Sequence, residues 1–547
     1  MKKKKQQKGH NFYLFVIIIV TVCIFFLWPL FRQGFYVTHD SEPQLARMTA
    51  VYKAVVDGHI PARWAGDLNY RYGIPSPNFF FPLNGYLNTL LHLIGFSFQD
   101  SYKILMGVSL IASTVFFYLW MTELFGRKIA LLTSFFYGLA PYHLLDIYVR
   151  GQLGEMLAFV FIPLVFFFIE RNKKMPTTRN IILGAVSYAL LVLSHNVLGL
   201  VFSFIAALYI IVCSWKKWKQ IAISASMMFF GLLLSSFFWL PALYENRYIN
   251  SELFVGGFFR DHFINPSRLF YAPWGFGSDI NKLGGLAPYI GVIQGFLLLS
   301  STFVFITSQK KRSMVFWFFI TVFSIFMTLP LSSFLWESVN FIEQFQFPWR
   351  FLAIVSLSGS VLIGHVLSVL RPYALPVFLT FCAVLLSFPL VKVHSFTDKP
   401  DQFYLRYSGT GAYHGESTTI WTAGDASLFP KAPIEIIDGK GGVANYYRKT
   451  QEHQFSVQAD SPVKIVDNTT YFPGWHVYVD GVETPIEFQD ANHRGLITFN
   501  VLQGKHAVSV IFEETKIRLL ADTLSISVFA GMMLLLIFRN RINRVLS

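Results

Sequence analysis

Long apolar stretches recur along this chain, and they limit what it can fold into more than any other feature. A helix needs about 20 predominantly apolar residues to cross a bilayer, and several runs approach or reach that length here. Of the 547 residues, 54% are hydrophobic and only 14% are charged. Such a composition excludes an ordinary soluble protein of this size. The sequence therefore predicts a polytopic α-helical membrane protein.

We predict twelve membrane-spanning helices from these runs. They lie at residues 11–31, 103–124, 128–147, 155–170, 180–195, 197–213, 220–240, 287–307, 314–331, 351–370, 374–391 and 518–538. The first run follows the basic stretch MKKKKQQKGH and has no small-residue cleavage site after it. That pattern predicts a retained span rather than a signal peptide.

Basic clusters decide which loops face the cytoplasm. The net charge of +14 does not indicate a nucleic-acid partner, because much of the excess lies in short clusters between apolar runs, as in cytoplasmic loops. Treating residues 79–96 as an interfacial or re-entrant helix, and not as a span, puts five later clusters on the same side as the N-terminal lysines. Both termini are then cytoplasmic. The topology and the lack of a disulfide framework among three cysteines fit a bacterial plasma membrane.

This topology divides the chain into five parts. They are a basic tail and first span (1–31), an extracytoplasmic catalytic loop with an interfacial helix (32–102), a multi-span domain (103–394), an extracytoplasmic β-rich domain (395–516) and a last span with a basic tail (517–547). In the fourth part, polar and apolar residues alternate at 476–481, 496–501 and 506–512, and VDGVE contains an Asp-Gly pair. These features predict a β-sandwich-like domain with a hairpin.

Ionisable residues collect at the predicted outer ends of the spans. Charges near a membrane cost free energy unless they are paired or hydrated, so we expect several outer loops to line one polar cavity. His39 and Asp40, adjacent in the first outer loop, are the catalytic candidates. The Asp40 carboxylate could act as a general base or bind a divalent cation such as Mg²⁺ or Mn²⁺. Alternatively, it could cap the helix that begins with Ser-Glu-Pro. No other cofactor is expected.

Further candidates for this cavity lie in three later segments. Arg150 could clamp a phosphate group, or it could form an ion pair with Glu155 at a helix start. Trp349 and Arg350, in QFPWRF, could contact a lipid-linked sugar phosphate or anchor a helix at the interface. His195 could be a ligand or a hydrogen-bonded residue near a helix end. The remaining cavity candidates are Arg63, Trp64, Asp67, Arg71, Asn196 and Glu245.

The order of these motifs resembles that of known membrane enzymes. A first span, an outer loop with an acidic motif, a surface helix, many spans and a terminal soluble domain are similar to the GT-C superfamily of membrane glycosyltransferases. Within it, THDSEPQLARM, VRGQLGEMLAF and FPWRF resemble the bacterial pyruvoyl-tetrahydropterin-synthase-related membrane proteins. The C-terminal YFPGWHVYVDGVETPIE resembles YfhO-like proteins. Nothing in the chain resembles the soluble pterin enzyme with its zinc-binding histidines.

The resemblance implies transfer of a sugar from a polyprenyl-phosphate donor to an extracytoplasmic acceptor, namely a cell-envelope glycan, a teichoic-acid-type polymer or a lipid. By position, Asp40 matches the catalytic carboxylate of the superfamily. It would act as the base in an inverting displacement, with Arg150 and Arg350 neutralising the departing phosphate. The motif is His-Asp instead of an acidic pair, so a metal requirement stays open.

Two other functions remain possible from the sequence. One is a transporter or flippase of lipid-linked sugars, although no inverted repeat of the kind common in transporters is evident. The other is a non-catalytic protein that presents a glycan through its β-rich domain.

Overall fold

The computed structural model describes residues 2–254, 257–307, 312–409 and 415–539. The basic clusters at 308–311 and 540–544, which support the predicted topology, lie outside the described residues, as do the side chains of the N-terminal lysines.

The described residues contain nineteen α-helices. They are α1 Lys2–Phe26, α2 Ser41–Val56, α3 Ser76–Phe79, α4 Leu83–Leu93, α5 Phe98–Phe125, α6 Arg127–Gly138, α7 Pro141–Leu145, α8 Leu153–Lys174, α9 Thr178–Ser194, α10 Asn196–Cys213, α11 Trp218–Leu234, α12 Ser236–Glu245, α13 Val292–Thr307, α14 Arg312–Thr328, α15 Ser333–Ser338, α16 Leu352–Val369, α17 Ala374–Ser387, α18 Asp401–Leu405 and α19 Lys516–Ile537. Each of the twelve predicted spans overlaps at least one of these helices.

Length and hydropathy single out fewer helices as membrane spans than the twelve predicted. In the part of the chain that the structure describes, α5, α8, α10, α19 and the helical stretch Pro348–Val369 are long and apolar enough. Two bent pairs, α11 with α12 (69°) and α14 with α15 (93°), raise the number to seven if each pair is one span. Four other predicted spans coincide with apolar helices of 10–17 residues. The count of twelve stays a prediction.

The predicted span at residues 128–147 is not a single helix, which corrects that prediction. α6 ends at Gly138, and α7 begins at Pro141. The intervening Ala140 has a ψ of 140°, because the ring of a following proline disfavours the helical conformation. After α7 the chain makes a π-helical turn at Asp146–Arg150.

The segment at 79–96 forms the short helix α4, which packs against α2 and α5. Its 11 residues span only about 16 Å at 1.5 Å per residue, whereas the hydrocarbon layer is about 30 Å thick. The side-chain amide of Asn88 donates a hydrogen bond to the Phe98 carbonyl oxygen at 3.2 Å. A helix of this length, held on neighbouring helices, is compatible with the predicted interfacial position.

The described residues contain ten β-strands. They are β1 Phe35–Tyr36, β2 Phe396–Thr397, β3 Ile434–Asp438, β4 Gly441–Arg448, β5 Glu452–Ala459, β6 Val463–Thr470, β7 Trp475–Val479, β8 Val482–Thr484, β9 Leu496–Val501 and β10 Gly504–Phe512. Antiparallel pairing gives a five-stranded sheet in the order β4-β5-β10-β7-β8 and a three-stranded sheet in the order β3-β6-β9. β1 pairs with β2 and so joins the first loop to the segment after α17.

The two larger sheets share one hydrophobic core, as a β-sandwich requires. Phe455 and Val510 from the first sheet and Ile465 and Phe499 from the second belong to one buried cluster. The Asp-Gly pair turns at positive φ, 51° and 78°, between β7 and β8, so the predicted hairpin is confirmed. The predicted β-rich range was too wide, however. Residues 398–433 hold no strand in their described part, and their sequence lacks the alternation that buries one face of a strand.

The predicted outer loops meet one another at one end of the helices. The His39 backbone N–H donates to the Val149 carbonyl oxygen at 2.9 Å, and Ile249 forms a bridge with Thr419. Trp64, from the loop after α2, lies in the core of the β-sheet region. The chain is thus a helical membrane-type protein whose C-terminal part contains a β-sheet region packed against its first loop.

Candidate functional site

Asp40 lies where the first loop enters α2, and its backbone is held by the turn that follows α7. The Asp40 backbone N–H donates to the Arg150 carbonyl oxygen at 2.9 Å. Its side chain makes no capping hydrogen bond to α2. Instead, one carboxylate oxygen accepts a hydrogen bond from the Gln152 side-chain amide. The carboxylate is therefore oriented toward the turn at residues 150–152, and its capping role is not realised.

His39 is oriented by a different loop. Its Nε2 lies 2.7 Å from the Phe276 carbonyl oxygen, and because a carbonyl oxygen can only accept, this ring nitrogen donates. The side chains of His39 and Asp40 are both half-buried. They therefore form a pair that a molecule at the surface can approach.

Gly151 allows the two segments to come together. It has a left-handed backbone, with φ 70°, and a Cβ atom at this position would lie 2.0 Å from Thr38 Oγ1. Its carbonyl oxygen accepts hydrogen bonds from the Gln44 amide at 2.7 Å and the Tyr102 hydroxyl at 2.5 Å. Only glycine has the conformational freedom and the small volume needed where the first loop passes over this turn.

A buried charge network lies directly behind this turn. Arg150 contacts Asp146 through one guanidinium nitrogen, and its Nη2 donates to Glu155 Oε1 at 2.8 Å. The Nε of Arg350 lies 3.3 Å from the same oxygen, and the Tyr142 hydroxyl donates to Glu155 Oε2 at 2.8 Å. All five side chains are buried. Two guanidinium groups and two carboxylates make the network formally neutral, which limits the cost of removing these charges from water.

His195 adjoins this network at the start of α10. Its Nδ1 accepts a hydrogen bond from the Leu198 backbone N–H at 3.2 Å, which caps the helix. Its Nε2 lies 3.9 Å from Glu155 Oε1, and its ring stacks on Phe81 with 5.0 Å between centroids. The sequence allowed two roles for His195, that of a ligand and that of a hydrogen-bonded residue near a helix end. In the structure His195 is a helix-end residue that lies next to the Glu155 carboxylate.

Trp349 and Asn196 are also placed around the network. The Arg150 guanidinium carbon lies 4.5 Å from the centre of a Trp349 ring, within range of a cation–π interaction. The Asn196 side-chain amide donates to the Phe79 carbonyl oxygen at 2.9 Å. Trp349 therefore packs directly on the network, and Asn196 connects the start of α10 to the end of α3.

Arg63 and Glu245 belong to a second buried charge network, so the single cavity predicted from the sequence was wrong. Arg63 Nη2 lies 2.9 Å from Asp522 Oδ1, and Arg518 Nε lies 3.0 Å from Glu245 Oε1. The Asn78 side chain links the two pairs, because its amide donates to Glu245 at 2.7 Å and its oxygen accepts from Arg63 at 3.4 Å. Each buried charge is compensated by an adjacent charge of opposite sign. The charges therefore do not require the single hydrated cavity that the sequence predicted.

The three other candidates lie at the contact with the β-sheet region. Trp64 is fully buried and packs edge-on against Trp475, with 5.5 Å between ring centroids. Asp67 is paired with Lys53. The Arg71 guanidinium carbon lies 5.9 Å from the Phe429 ring centre. Trp64 thus attaches the β-sheet region to the first loop. Asp67 pairs within residues 32–102, and Arg71 faces the strand-free segment before β3.

Metal binding at Asp40 would depend on the substrate. Among the described residues, no group of three or more His, Cys, Asp and Glu side chains is arranged to hold a metal ion. The Gln152 amide donates to the Asp40 carboxylate, and the Nε2 of His39, the preceding residue, is engaged by a carbonyl oxygen. A magnesium ion commonly binds through one or two carboxylates plus substrate phosphates. Asp40 fits such an ion only with oxygen ligands from a bound phosphate.

Apolar helices long enough to cross a membrane, with buried charges at one end, define an integral membrane protein. The chain belongs to the family described as "6-pyruvoyl-tetrahydropterin synthase related domain; membrane protein", whose family model matches residues 78–394. The resemblance to this family that the motifs predicted is confirmed. The matched range contains Arg150, Glu155 and Arg350, but it begins after Asp40 and ends before β3.

One relative matches a smaller part of the chain. An uncharacterized protein of Lactococcus lactis subsp. cremoris (strain MG1363) is 23% identical over 247 residues, which is 43% of this chain and 40% of that protein. The chain thus spans about two fifths of that relative.

Three solved structures have similar coordinates over about 70% of this chain. Arabinofuranosyltransferase AftD from Mycobacteria gives a TM-score of 0.47 at 13% identity, covering 69% of this chain and 26% of that one. The Archaeoglobus fulgidus oligosaccharyltransferase gives 0.45 at 12%, covering 73% and 56%. ArnT from Cupriavidus metallidurans, bound to undecaprenyl phosphate, gives 0.43 at 13%, covering 71% and 67%.

Proposed function

We propose that this protein is a GT-C-type glycosyltransferase of the bacterial plasma membrane. It transfers a sugar from a polyprenyl-phosphate-linked donor to an extracytoplasmic acceptor of the cell envelope, with inversion at the anomeric carbon. One observation carries the proposal: the half-buried Asp40 carboxylate accepts a hydrogen bond from Gln152, next to the turn that places Arg150 in the buried network with Glu155 and Arg350. The order of motifs in the sequence supports the same assignment.

Asp40 is the general base of this reaction. A carboxylate that accepts a hydrogen bond from the acceptor hydroxyl can remove its proton as the oxygen attacks the anomeric carbon. The bond from that carbon to the donor phosphate breaks, and the electron pair leaves with the lipid phosphate. Gln152 fixes the direction of the carboxylate, so less orientational freedom is lost when the acceptor binds.

We assign the phosphate contact to Arg350 and a positioning role to Arg150. Arg150 already pairs with two carboxylates, Asp146 and Glu155. Arg350 lies within ion-pair distance of one carboxylate, that of Glu155, and its Nη1 donates to neutral oxygens, Gln346 Oε1 at 2.7 Å and the Phe345 carbonyl at 3.1 Å. A phosphate can replace neutral acceptors at a lower cost than it can replace a paired carboxylate.

The topology belongs to the same proposal. The loops that contain Asp40, Arg150 and Arg350 and the β-sheet region would face the extracytoplasmic side, and both termini would face the cytoplasm. A lipid-linked donor is already present on that outer side, so no nucleotide-binding site is needed there. Asp40 would hold a divalent cation, and such an ion would supply positive charge to neutralise the donor phosphate.

The test compares Asp40→Asn with Glu42→Gln in purified protein reconstituted into lipid with polyprenyl-phosphate sugars and a cell-envelope acceptor. Asn keeps the size of Asp and its hydrogen bond acceptor, but it cannot act as a base. Glu42 is a matched carboxylate at the start of the same helix, paired with Lys399 at 2.8 Å. We expect Asp40→Asn to bind the donor but to lose at least about 100-fold in turnover, while Glu42→Gln keeps wild-type activity. Full activity in Asp40→Asn would refute the catalytic role and favour transport or glycan presentation.

A further inference from the structure

A cavity of about 260 Å³ separates α2 from the β-sheet region, and it contains neither Asp40 nor the residues of the Arg150 network. One wall is the face of α2 that carries Thr49 and Lys53. The opposite wall is the end of β4, which carries Arg448, and the turn into β5, which carries Lys449. Its volume is close to the lower end of the range of small-molecule sites, about 300 to 1,000 Å³.

The charged groups of the cavity leave a positive excess. The lining holds three cations and two carboxylates, an excess of one positive charge. Asp67 pairs with Lys53, whereas Asp57 keeps its charge, because it accepts hydrogen bonds from the neutral backbone and hydroxyl of Thr450. Arg448 donates to a neutral backbone oxygen, that of Gly66, at 2.7 Å, so it keeps its full charge. Lys449 forms no ion pair within the described part of the chain.

Aromatic side chains complete the walls. Tyr52, Tyr404 and Tyr407 line the cavity, and a tyrosine offers an apolar ring face together with a polar hydroxyl. Tyr446 and Tyr447 precede the cationic pair on β4, which is an edge strand, and Tyr447 is 51% exposed. Ring faces beside cationic groups suit a sugar chain that carries negative charges.

We propose that this cavity binds an anionic segment of the acceptor glycan, one that carries phosphate or carboxylate groups. The inference rests on the proposed function, because it assigns the bound chain to the acceptor. The first wall residue on α2, Ala46, follows Asp40 by six positions, which is about 9 Å along the helix, and Lys53 is about 20 Å along it. The cavity therefore recognises the body of an extended polymer whose end reaches Asp40.

Direct binding tests this proposal without any turnover. The probes are a glycerol-phosphate hexamer, a uronate-containing oligosaccharide of similar length and neutral maltohexaose, each titrated into the full-length protein in lipid nanodiscs. We expect both anionic probes to bind more tightly than maltohexaose, and the tighter of the two identifies the anionic group. Equal binding of all three probes, or no binding of either anionic probe, would overturn the proposal.

Matched lysine variants locate the binding. Lys449→Gln should weaken binding of the preferred anionic probe about tenfold, because a hydrogen bond to a charged group is lost. Lys505→Gln removes an exposed lysine on β10 outside the cavity and should change binding less than twofold. Equal effects of the two substitutions would overturn the assignment to the cavity. Asp40→Asn should bind the preferred anionic probe as tightly as the wild type does. If the wild type binds that probe but transfers no sugar, only the proposed function is contradicted.

Discussion

Replacing Glu155 by Gln tests whether the buried charge network holds the candidate site together. The substitution preserves the size of the side chain, but it leaves Arg150 and Arg350 with one carboxylate, Asp146, in place of two. The formal charge of the network changes from zero to +1. Breaking a buried ion pair by removing one partner costs about 3–5 kcal/mol. Because the Gln oxygen can still accept one hydrogen bond from Arg150, we expect the lower end, a loss of about 3 kcal/mol.

A second substitution checks that the loss comes from charge. Glu155→Gln combined with Arg350→Gln restores a formal charge of zero. If the imbalance is the cause, the double variant should be more stable than the sum of the two single changes, by about 1.5 kcal/mol or more. Simple additivity would mean that the two side chains act independently.

Stability would be measured as the free energy of unfolding in detergent micelles, with Glu42→Gln as the control. The Glu42 carboxylate also forms an ion pair, with Lys399 at 2.8 Å, but it is 43% exposed, and exposed pairs contribute about 0–1 kcal/mol. If Glu155→Gln lowers the free energy of unfolding no more than Glu42→Gln does, the charges of the network do not stabilise one another in a water-free interior.

Three further predictions concern the segments that position the site. Gly151→Ala should lower the free energy of unfolding by at least about 2 kcal/mol and reduce turnover, because its Cβ would lie 2.0 Å from Thr38 Oγ1. The control Gly58→Ala, at φ 88° with no neighbour within 4 Å, should lose only about 1–2 kcal/mol through backbone strain. Equal losses in the two variants would contradict this account. Burial, aided by two neighbouring guanidinium groups, lowers the pKa of His59 from 6.5 to about 4, so the folded state binds fewer protons there. Relative to His59→Gln, the wild type should lose about 1.4 kcal/mol of stability per pH unit as the pH falls from 6.5 toward 4, and parallel pH curves would refute the assignment. Trp64→Ala should destabilise the contact with the β-sheet region by about 3–5 kcal/mol, seen as faster proteolysis there; an unchanged digestion rate would argue against its anchoring role.

Features that depend on neighbouring residues were accessible from the sequence. Apolar runs predict helices because the chemistry of a side chain itself decides whether it is stable in the protein interior or in lipid. Each predicted span overlaps a helix. The Asp-Gly hairpin is a local turn preference. The Arg150–Glu155 pair is separated by only five residues, so the sequence offered that ion pair as one of two alternatives. Gln152 carried no signal, since an amide in a turn has many possible roles.

Features that join distant segments were decided only by the tertiary structure. Arg63 meets Asp522 across 459 positions, and both Asp522 and Arg518 lie at the start of α19, in or beside the apolar run predicted as the last span. The cavity between α2 and the β4–β5 turn likewise joins segments about 400 residues apart. A sequence pattern indicates whether a segment will be buried, exposed or in lipid. It does not indicate which distant segment will pack against it. The chain thus specified its helices and its turn locally, whereas long-range packing selected the counter-ion of each buried charge, which divided the predicted cavity into two networks.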